Sequence, residues 1–313
     1  MQDESGRLNI MGLDSAFIAT MVTGIVVALK GSLDVKGFLQ VEGVCYPGML
    51  PQAPLRKYNE SHRYVALVCG LSVGGPQDQL KMQLLMSYLA GHAGDDEEHM
   101  RQKDIVRLII CGASTAGKST SSEMAAALTQ LDASLAELAT SLPVDILPGG
   151  LGDACTLTLP QQPLHKCLFM NSSRFTETFR RTTNPYECWM DDERVMFFGH
   201  SGSPTSDILR CTAGLTSTLV MERTLKWRIC APTAPDTIPS FPFKSCDPFI
   251  MEKRPHVYFS GNQTQYESLL VKDTQGVTRC ISVPSFADTG LVVLVDIDSD
   301  DFTTSTLTFQ GLN

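Results

Sequence analysis

The segment GASTAGKS at residues 112–119 combines residue types that bind phosphate. Glycine, four residues, then glycine, lysine and serine is the pattern of a nucleotide-binding loop, whose backbone amides and lysine surround the phosphates. The strand-like run IVRLIICG precedes it and a leucine-striped segment follows it, as such a loop requires. One hypothesis is therefore a P-loop NTPase with four cofactor-binding residues, Gly112, Gly117, Lys118 and Ser119.

Two features argue against nucleotide binding. The Ser/Thr run after Lys118 favours helix capping, with Ser119 to Ser122 as candidate N-caps, so the helix is predicted to begin too late to meet a phosphate. The acidic strand that could hold magnesium, through Asp296 or Asp298, lies far along the chain. Nucleotide hydrolysis stays as the alternative interpretation.

Apolar runs that end abruptly in glycine surround this loop in the sequence. Because they do not alternate with polar residues, they predict strands covered on both faces. They are RYVALVCG, IVRLIICG, VDILPGG, RVMFFGHSG and HVYFSGN. Residues 123–142 predict a helix with one buried stripe, made of Met124, Leu128, Leu131, Leu135, Leu138 and Leu142. The polar residues 91–104 predict a solvated loop.

The two ends of the chain complete the predicted architecture. The C-terminal runs VTRCISVPSF, LVVLVDID and STLTFQG alternate more and predict a second sheet layer. Together the elements predict an α/β (α+β) fold, a two-layer β sandwich flanked by helices. Residues 24–46 predict strand, turn and strand, and the Pro-rich residues 47–55 predict a linker. We therefore divide the chain into a small β domain with its linker, 1–57, and a main domain, 58–313.

Composition disfavours several classes of protein. The net charge of −9 opposes phosphate backbones, so direct DNA binding is disfavoured. No apolar stretch approaches the roughly 20 residues of a bilayer span, and the first ten residues lack the order of a secretory signal. The ten cysteines form no CxxC pair, which favours free thiols over a zinc site. We therefore expect no cofactor, no metal and no membrane partner.

The glycine-ended strands resemble the framework of calcineurin-like metallophosphoesterases. Enzymes of that family place Asp, His and Asn ligands at strand ends, where they converge on two metal ions. His200 lies one place early for its motif, so Ser201 is the better match, and Asp153 stands near the third motif. The other matching positions do not carry the family's ligands: Gly70 and Ser72, Ala113 and Ala116, Gly150 and Leu151, and Asn262 and Thr264.

This resemblance implies a phosphoesterase domain that has lost its metal site. A metal ion needs several deprotonated ligands, and at most His200 is available. We interpret His200 as a turn or packing residue, and the pattern GASTAGKS as the remnant of the second metal-binding motif. A residual phosphoesterase, the third hypothesis, would need ligands that the sequence lacks.

An inactive phosphoesterase domain behind a small β domain is the layout of the B subunits of eukaryotic B-family DNA polymerases. In that family the small domain is an OB fold. The segments that resemble the delta members run in order from about Thr23 to Val295: TGIVVALKG, LPQQPLHKCLF, TNPY, GHSGSPTSDI, PTAPDT, FPF with DPFI, and PHVYFSGN. Since the region before the linker has room for about three strands, we expect a partial OB fold.

The resemblance implies a regulatory subunit without catalytic activity. It would bind the C-terminal domain of the polymerase delta catalytic subunit and bridge to a third subunit that reaches the sliding clamp. It would meet DNA only through the complex, in nuclear replication and repair synthesis. Loops that put prolines beside aromatic residues, at 184–185, 233–236 and 246–249, are predicted interface elements because rigid apolar loops lose little entropy on docking.

Overall fold

The computed structural model describes residues 1–3, 6–55, 62–75, 79–117, 120–150, 152–190 and 194–310. Its strands are β1 (Gln2–Asp3), β2 (Gly6–Arg7), β3 (Ile10–Met11), β4 (Ala28–Leu33), β5 (Leu39–Cys45), β6 (Tyr64–Val68), β7 (Ile105–Ile110), β8 (Val144–Ile146), β9 (Phe179–Arg181), β10 (Tyr186–Met190), β11 (Val195–His200), β12 (Val257–Gln263), β13 (Glu267–Asp273), β14 (Gly276–Pro284), β15 (Leu291–Asp296) and β16 (Thr304–Thr308).

The helices lie mostly between these strands. They are α1 (Ser15–Ile18), α2 (Gln79–Leu89), α3 (Asp96–Lys103), α4 (Ser121–Leu138), α5 (Ser203–Cys211), α6 (Ser217–Trp227) and α7 (Phe286–Thr289), with 3-10 turns at Lys166–Leu168 and Ser172–Arg174. No helix in the described ranges is long and apolar enough to cross a membrane.

Two large sheets form the main body. One has six strands in the order β16-β15-β6-β7-β8-β9, of which β6 to β9 are parallel. The other has five strands in the order β10-β11-β12-β14-β13, with β11, β12 and β14 parallel. Their facing sides share one core, formed by fully buried residues such as Leu67, Ile109, Val293, Phe197, Phe259 and Ile281. The predicted two-layer sandwich is present.

Helices cover the outer faces of both sheets. Helix α4 packs its buried face, including Leu131 and Leu135, on the outer side of the six-stranded sheet. Helix α6 covers the outer side of the five-stranded sheet through Met221 and Leu225. Because each sheet is covered on both sides, its central strands are mainly apolar on both faces, as the glycine-ended runs predicted.

Two local expectations were wrong. The sequence predicts β14, β15 and β16 in one sheet layer, but they divide between the two sheets. Strands β15 and β16 extend the six-stranded sheet beside β6, and β14 lies in the five-stranded sheet.

Within the predicted loop 91–104, α3 forms because Asp95 and Glu98 make a reciprocal capping box at its start. Helix α4 starts as expected from its capping residues, with Thr120 as N-cap and Glu123 as its partner.

The N-terminal residues form a small sheet of three strands, in the order β3-β5-β4, and a hairpin of β1 and β2. The partial OB fold and the domain boundary at residue 57 stay predictions. The Pro-rich stretch 47–55 is docked on the main body. The Gln52 side chain donates to the carbonyls of Pro255 (2.9 Å) and Val277 (2.7 Å), and the His256 ring contacts the Ala53 carbonyl (3.2 Å).

Candidate functional site

The carboxyl ends of β6, β7, β8, β11 and β12 meet at one edge of the sandwich. The loops after the first three are joined by backbone hydrogen bonds: the Gly70 amide donates to the Gly112 carbonyl (3.0 Å), and the Ala113 amide donates to the Gly149 carbonyl (2.7 Å). The Asn262 amide side chain donates to the Ser201 carbonyl at 2.9 Å and so joins the ends of β11 and β12. The sequence therefore identified a real convergence of strand ends.

The space between these loops is filled by their own backbone and small side chains. A Cβ atom on Gly149 would lie 2.2 Å from Cβ of Ser201, and one on Gly152 would lie 1.7 Å from the Thr115 carbonyl oxygen. Contacts this short exclude any side chain at these two glycines. Among the described residues, no group of three or more His, Cys, Asp or Glu side chains is arranged to hold a metal ion.

The backbone at these strand ends keeps unusual conformations. Ser72, Ala113 and Asn262 have positive φ angles of 47°, 53° and 48°. They are three of the five non-glycine residues with positive φ in the described ranges. Such conformations cost of order 1–3 kcal/mol each for non-glycine residues, and they cluster at functional sites. All three stand at positions that match metal-ligand positions of the metallophosphoesterase motifs.

The other positions aligned with metal ligands also lie at this edge, with different surroundings. Gly150 approaches Ala113 closely, since a Cβ atom there would lie 2.9 Å from Cβ of Ala113. The Ala116 amide donates to the Val73 carbonyl (3.0 Å), and Thr264 is exposed beyond the end of β12. Leu151 lies outside the described residues.

A half-buried carboxylate, that of Asp153, lies against the P-loop-like segment. Oδ1 of Asp153 accepts hydrogen bonds from the amides of Ser114 (2.8 Å) and Thr115 (3.1 Å), and Oδ2 accepts from the Gly149 amide (3.1 Å). Burial raises the pKa of Asp153 to about 7, against the opposing effect of these amides. Gly112 and Gly117 belong to the same loop, whereas Lys118 and Ser119 lie outside the described residues.

Three backbone amides that a P-loop could offer to phosphate, those of Ser114, Thr115 and Ala116, are therefore used inside the protein. Concave arrangements of backbone amides bind anions, and here the anion is the side chain of Asp153. Sequence reasoning missed this role because Asp153 follows Ser114 by 39 residues and carries no motif of its own.

The His200 imidazole is a fully buried structural group. Its Nδ1 accepts the Gly202 amide (3.1 Å), so Nε2 carries the proton and faces the Tyr258 hydroxyl (3.3 Å). Burial lowers the pKa of His200 to about 3. The His200 ring packs edge-on against the Tyr258 ring, with 5.8 Å between the ring centroids, and the interpretation as a packing residue agrees with this geometry.

We expect the His200→Asn variant to lose less stability than the wild type between pH 7 and pH 5. The pKa of His200 is about 3 when folded and 6.5 when unfolded, so its stabilising contribution is complete above pH 6.5 and is lost as pH falls toward 3. At pH 5 the wild type has lost about 2 kcal/mol of unfolding free energy through His200. Asparagine does not titrate but still offers an acceptor to the Gly202 amide, so the variant does not undergo this loss. The raised pKa of Asp153 acts in the opposite direction in both proteins and cancels in the comparison.

Urea unfolding of both proteins at both pH values measures this difference. Equal losses of stability in the wild type and the variant would contradict a buried neutral imidazole at position 200.

Known proteins resemble the chain over nearly its full length. The family of DNA polymerase alpha/epsilon B subunits matches residues 65–268. The DNA polymerase delta small subunit of Oryza sativa subsp. japonica is 36% identical over 99% of this chain and 73% of its own length. That of Arabidopsis thaliana is 37% identical (95% and 69%), and DNA polymerase delta subunit 2 of Drosophila melanogaster is 36% identical (96% and 71%).

A solved structure described as a novel archaeal phosphodiesterase aligns with 78% of this chain and 99% of its own. Its TM-score is 0.40 and its sequence identity 10%, a likeness that supports no conclusion about fold or activity.

These relatives define the class of protein. The chain belongs to the B-subunit family of DNA polymerases. Within that family it belongs to the DNA polymerase delta small subunits, as the resemblance in the sequence predicted. Membership places it in a polymerase complex that acts in DNA replication.

Proposed function

We propose that this chain is a non-catalytic scaffold of DNA polymerase delta. It binds the C-terminal domain of the catalytic subunit and bridges to a third, clamp-linked subunit, in nuclear DNA replication and repair synthesis. DNA is met only through the complex, and no cofactor takes part. The observation that carries the proposal is the closed edge at the strand ends, where backbone and small side chains fill the space between the loops.

The main domain, residues 58–313, is on this proposal a calcineurin-like phosphoesterase that has lost its chemistry. The two-layer sandwich and the strand ends that meet at one edge support it. So do the positive φ angles of Ser72, Ala113 and Asn262, which preserve a site-like backbone without ligand side chains. Residues 1–57 form the partial OB domain and its linker.

The exposed apolar surface lies beside one of the three predicted interface loops, 246–249, whose own Phe249 is buried. Asn184 and Thr233, in the other two, are buried and serve internal hydrogen bonds. The chain around residues 246–249 differs, because Phe241, Phe243 and Ile250 are exposed by 60%, 46% and 53%. We define residues 240–250 as the aromatic loop. Exposed aromatic side chains on a Pro-rich loop are typical anchors at protein interfaces.

Co-expression with the C-terminal domain of the delta catalytic subunit, followed by size-exclusion chromatography with light scattering, tests the proposal. We expect a stable one-to-one complex. The double substitution Phe241→Ser with Phe243→Ser is expected to weaken it by about tenfold or more, because interface energy concentrates in a few aromatic anchors. Met100→Ser is the matched control, since Met100 is 68% exposed on α3, beside the other sheet.

Failure of the wild-type chains to associate would overturn the scaffold proposal. A wild-type complex that the double variant leaves unchanged would overturn only the assignment of the aromatic loop to this partner.

A further inference from the structure

A thiol and an imidazole meet on the surface at the 3-10 turn Lys166–Leu168. Sγ of Cys167 lies 2.9 Å from Nδ1 of His165, and both residues are exposed. The Cys167 amide also donates to Nδ1 at 3.3 Å, since His165 is the N-cap of this turn. The backbone bond holds the ring with its unprotonated nitrogen toward the sulfur. An imidazole in this position can accept the thiol proton.

The other nine cysteines lack this combination. Four are buried: Cys69, Cys111, Cys230 and Cys280. Burial raises the pKa of Cys155 to about 11 and of Cys188 to about 12, which disfavours their thiolates. Of the exposed thiols Cys45, Cys167, Cys211 and Cys246, Cys167 is the one that contacts an imidazole within the described ranges.

Positive charge flanks the pair. Lys166 is exposed between the two residues, and the Arg181 guanidinium donates to the Leu164 carbonyl (2.9 Å), directly before His165. Exposed cysteines beside cationic groups and a histidine are the reactive ones, because the thiolate is the nucleophile. Access and a proton acceptor thus occur together at Cys167, with a lysine next to it in the sequence.

We propose that Cys167 and His165 form a thiol-exchange site for small-molecule disulfides. Nδ1 of His165 takes the Cys167 proton, and the thiolate attacks one sulfur of the disulfide. A new S–S bond forms to Cys167, the original S–S bond breaks, and the leaving thiolate takes the proton back from the imidazolium. The cysteine is oxidised, the small disulfide is reduced to one thiol and one mixed disulfide, and excess thiol reverses the step.

Peptide mapping by mass spectrometry after timed incubation with oxidised glutathione at pH 7 tests the site. We expect Cys167 to form the mixed disulfide about tenfold faster than Cys45, Cys211 and Cys246, the three exposed thiols of the same molecule. Dithiothreitol should remove the adduct. Equal rates at the four thiols would overturn the proposal.

Two substitutions of His165 separate proton transfer from helix capping. His165→Asn keeps an N-cap acceptor for the Cys167 amide but cannot take a proton, and His165→Ala loses both functions. We expect both variants to bring Cys167 down to the rate of the control thiols and to leave the controls unchanged. If His165→Asn retains the fast rate, capping rather than proton transfer explains it, and the proposal fails.

Discussion

Replacing Asp153 by alanine is expected to lower the free energy of unfolding by about 2 to 4 kcal/mol. The amides of Ser114, Thr115 and Gly149 would lose their common acceptor, and Ser114 and Thr115 are themselves buried. An unsatisfied buried donor costs about 1 to 3 kcal/mol, and the relief of burying a carboxylate offsets part of the sum. Chemical unfolding at pH 8, above the pKa of Asp153, followed by circular dichroism, measures the change.

Asp153→Asn is the matched control for this loop. Its single oxygen can still accept from Ser114 and Thr115, while its amino group faces the Gly149 amide, so we expect a smaller loss than in Asp153→Ala. Full stability in Asp153→Ala would mean that the loop amides do not depend on the carboxylate. It would also restore the hypothesis that they await a phosphate.

Asp145→Ala should destabilise the sandwich by about 3 to 5 kcal/mol. Asp145, in β8, is fully buried. Its two carboxylate oxygens, Oδ1 and Oδ2, accept hydrogen bonds from the Arg107 guanidinium at 2.9 and 2.8 Å. The Tyr186 hydroxyl, from β10 in the opposite sheet, donates to the same carboxylate at 2.8 Å. Removing the acceptor leaves a mostly buried cation and a buried hydroxyl without it, and breaking a buried pair in this way is strongly destabilising.

A neighbouring ion pair on the surface provides the control. Glu187 pairs with Lys253 at 3.0 Å, and both side chains are about half exposed. Such pairs contribute roughly 0 to 1 kcal/mol, so Glu187→Ala should change stability little. Equal, small effects of Asp145→Ala and Glu187→Ala would contradict the view that Asp145 ties the two sheets together.

The sequence predicted most strongly where one physical signal was sufficient. Continuous apolar runs identified β6, β7, β8, β11 and β12, because a strand covered on both faces has no polar side. The leucine stripe identified α4 for the same kind of reason. Helix α3 was missed because it buries no side chain and has no apolar stripe, although its capping residues were visible.

Long-range partners could not be predicted from local pattern. Nothing in LVVLVDID tells which sheet it joins, and β15 lies beside β6 in the six-stranded sheet. Likewise, the Ser114 and Thr115 amides of GASTAGKS converge on one anionic group, but that group comes from Asp153, after another strand. Local sequence fixes conformation at such a loop, whereas its occupant depends on tertiary contacts.

Manganese titration by calorimetry on the purified chain, together with hydrolysis of bis(p-nitrophenyl) phosphate and ATP, tests most directly whether the site at the strand ends is chemically silent. We predict no stoichiometric manganese binding and no hydrolysis above the uncatalysed rate. Stoichiometric manganese binding with metal-dependent phosphodiester cleavage, or ATP hydrolysis lost in Lys118→Ala, would contradict the account.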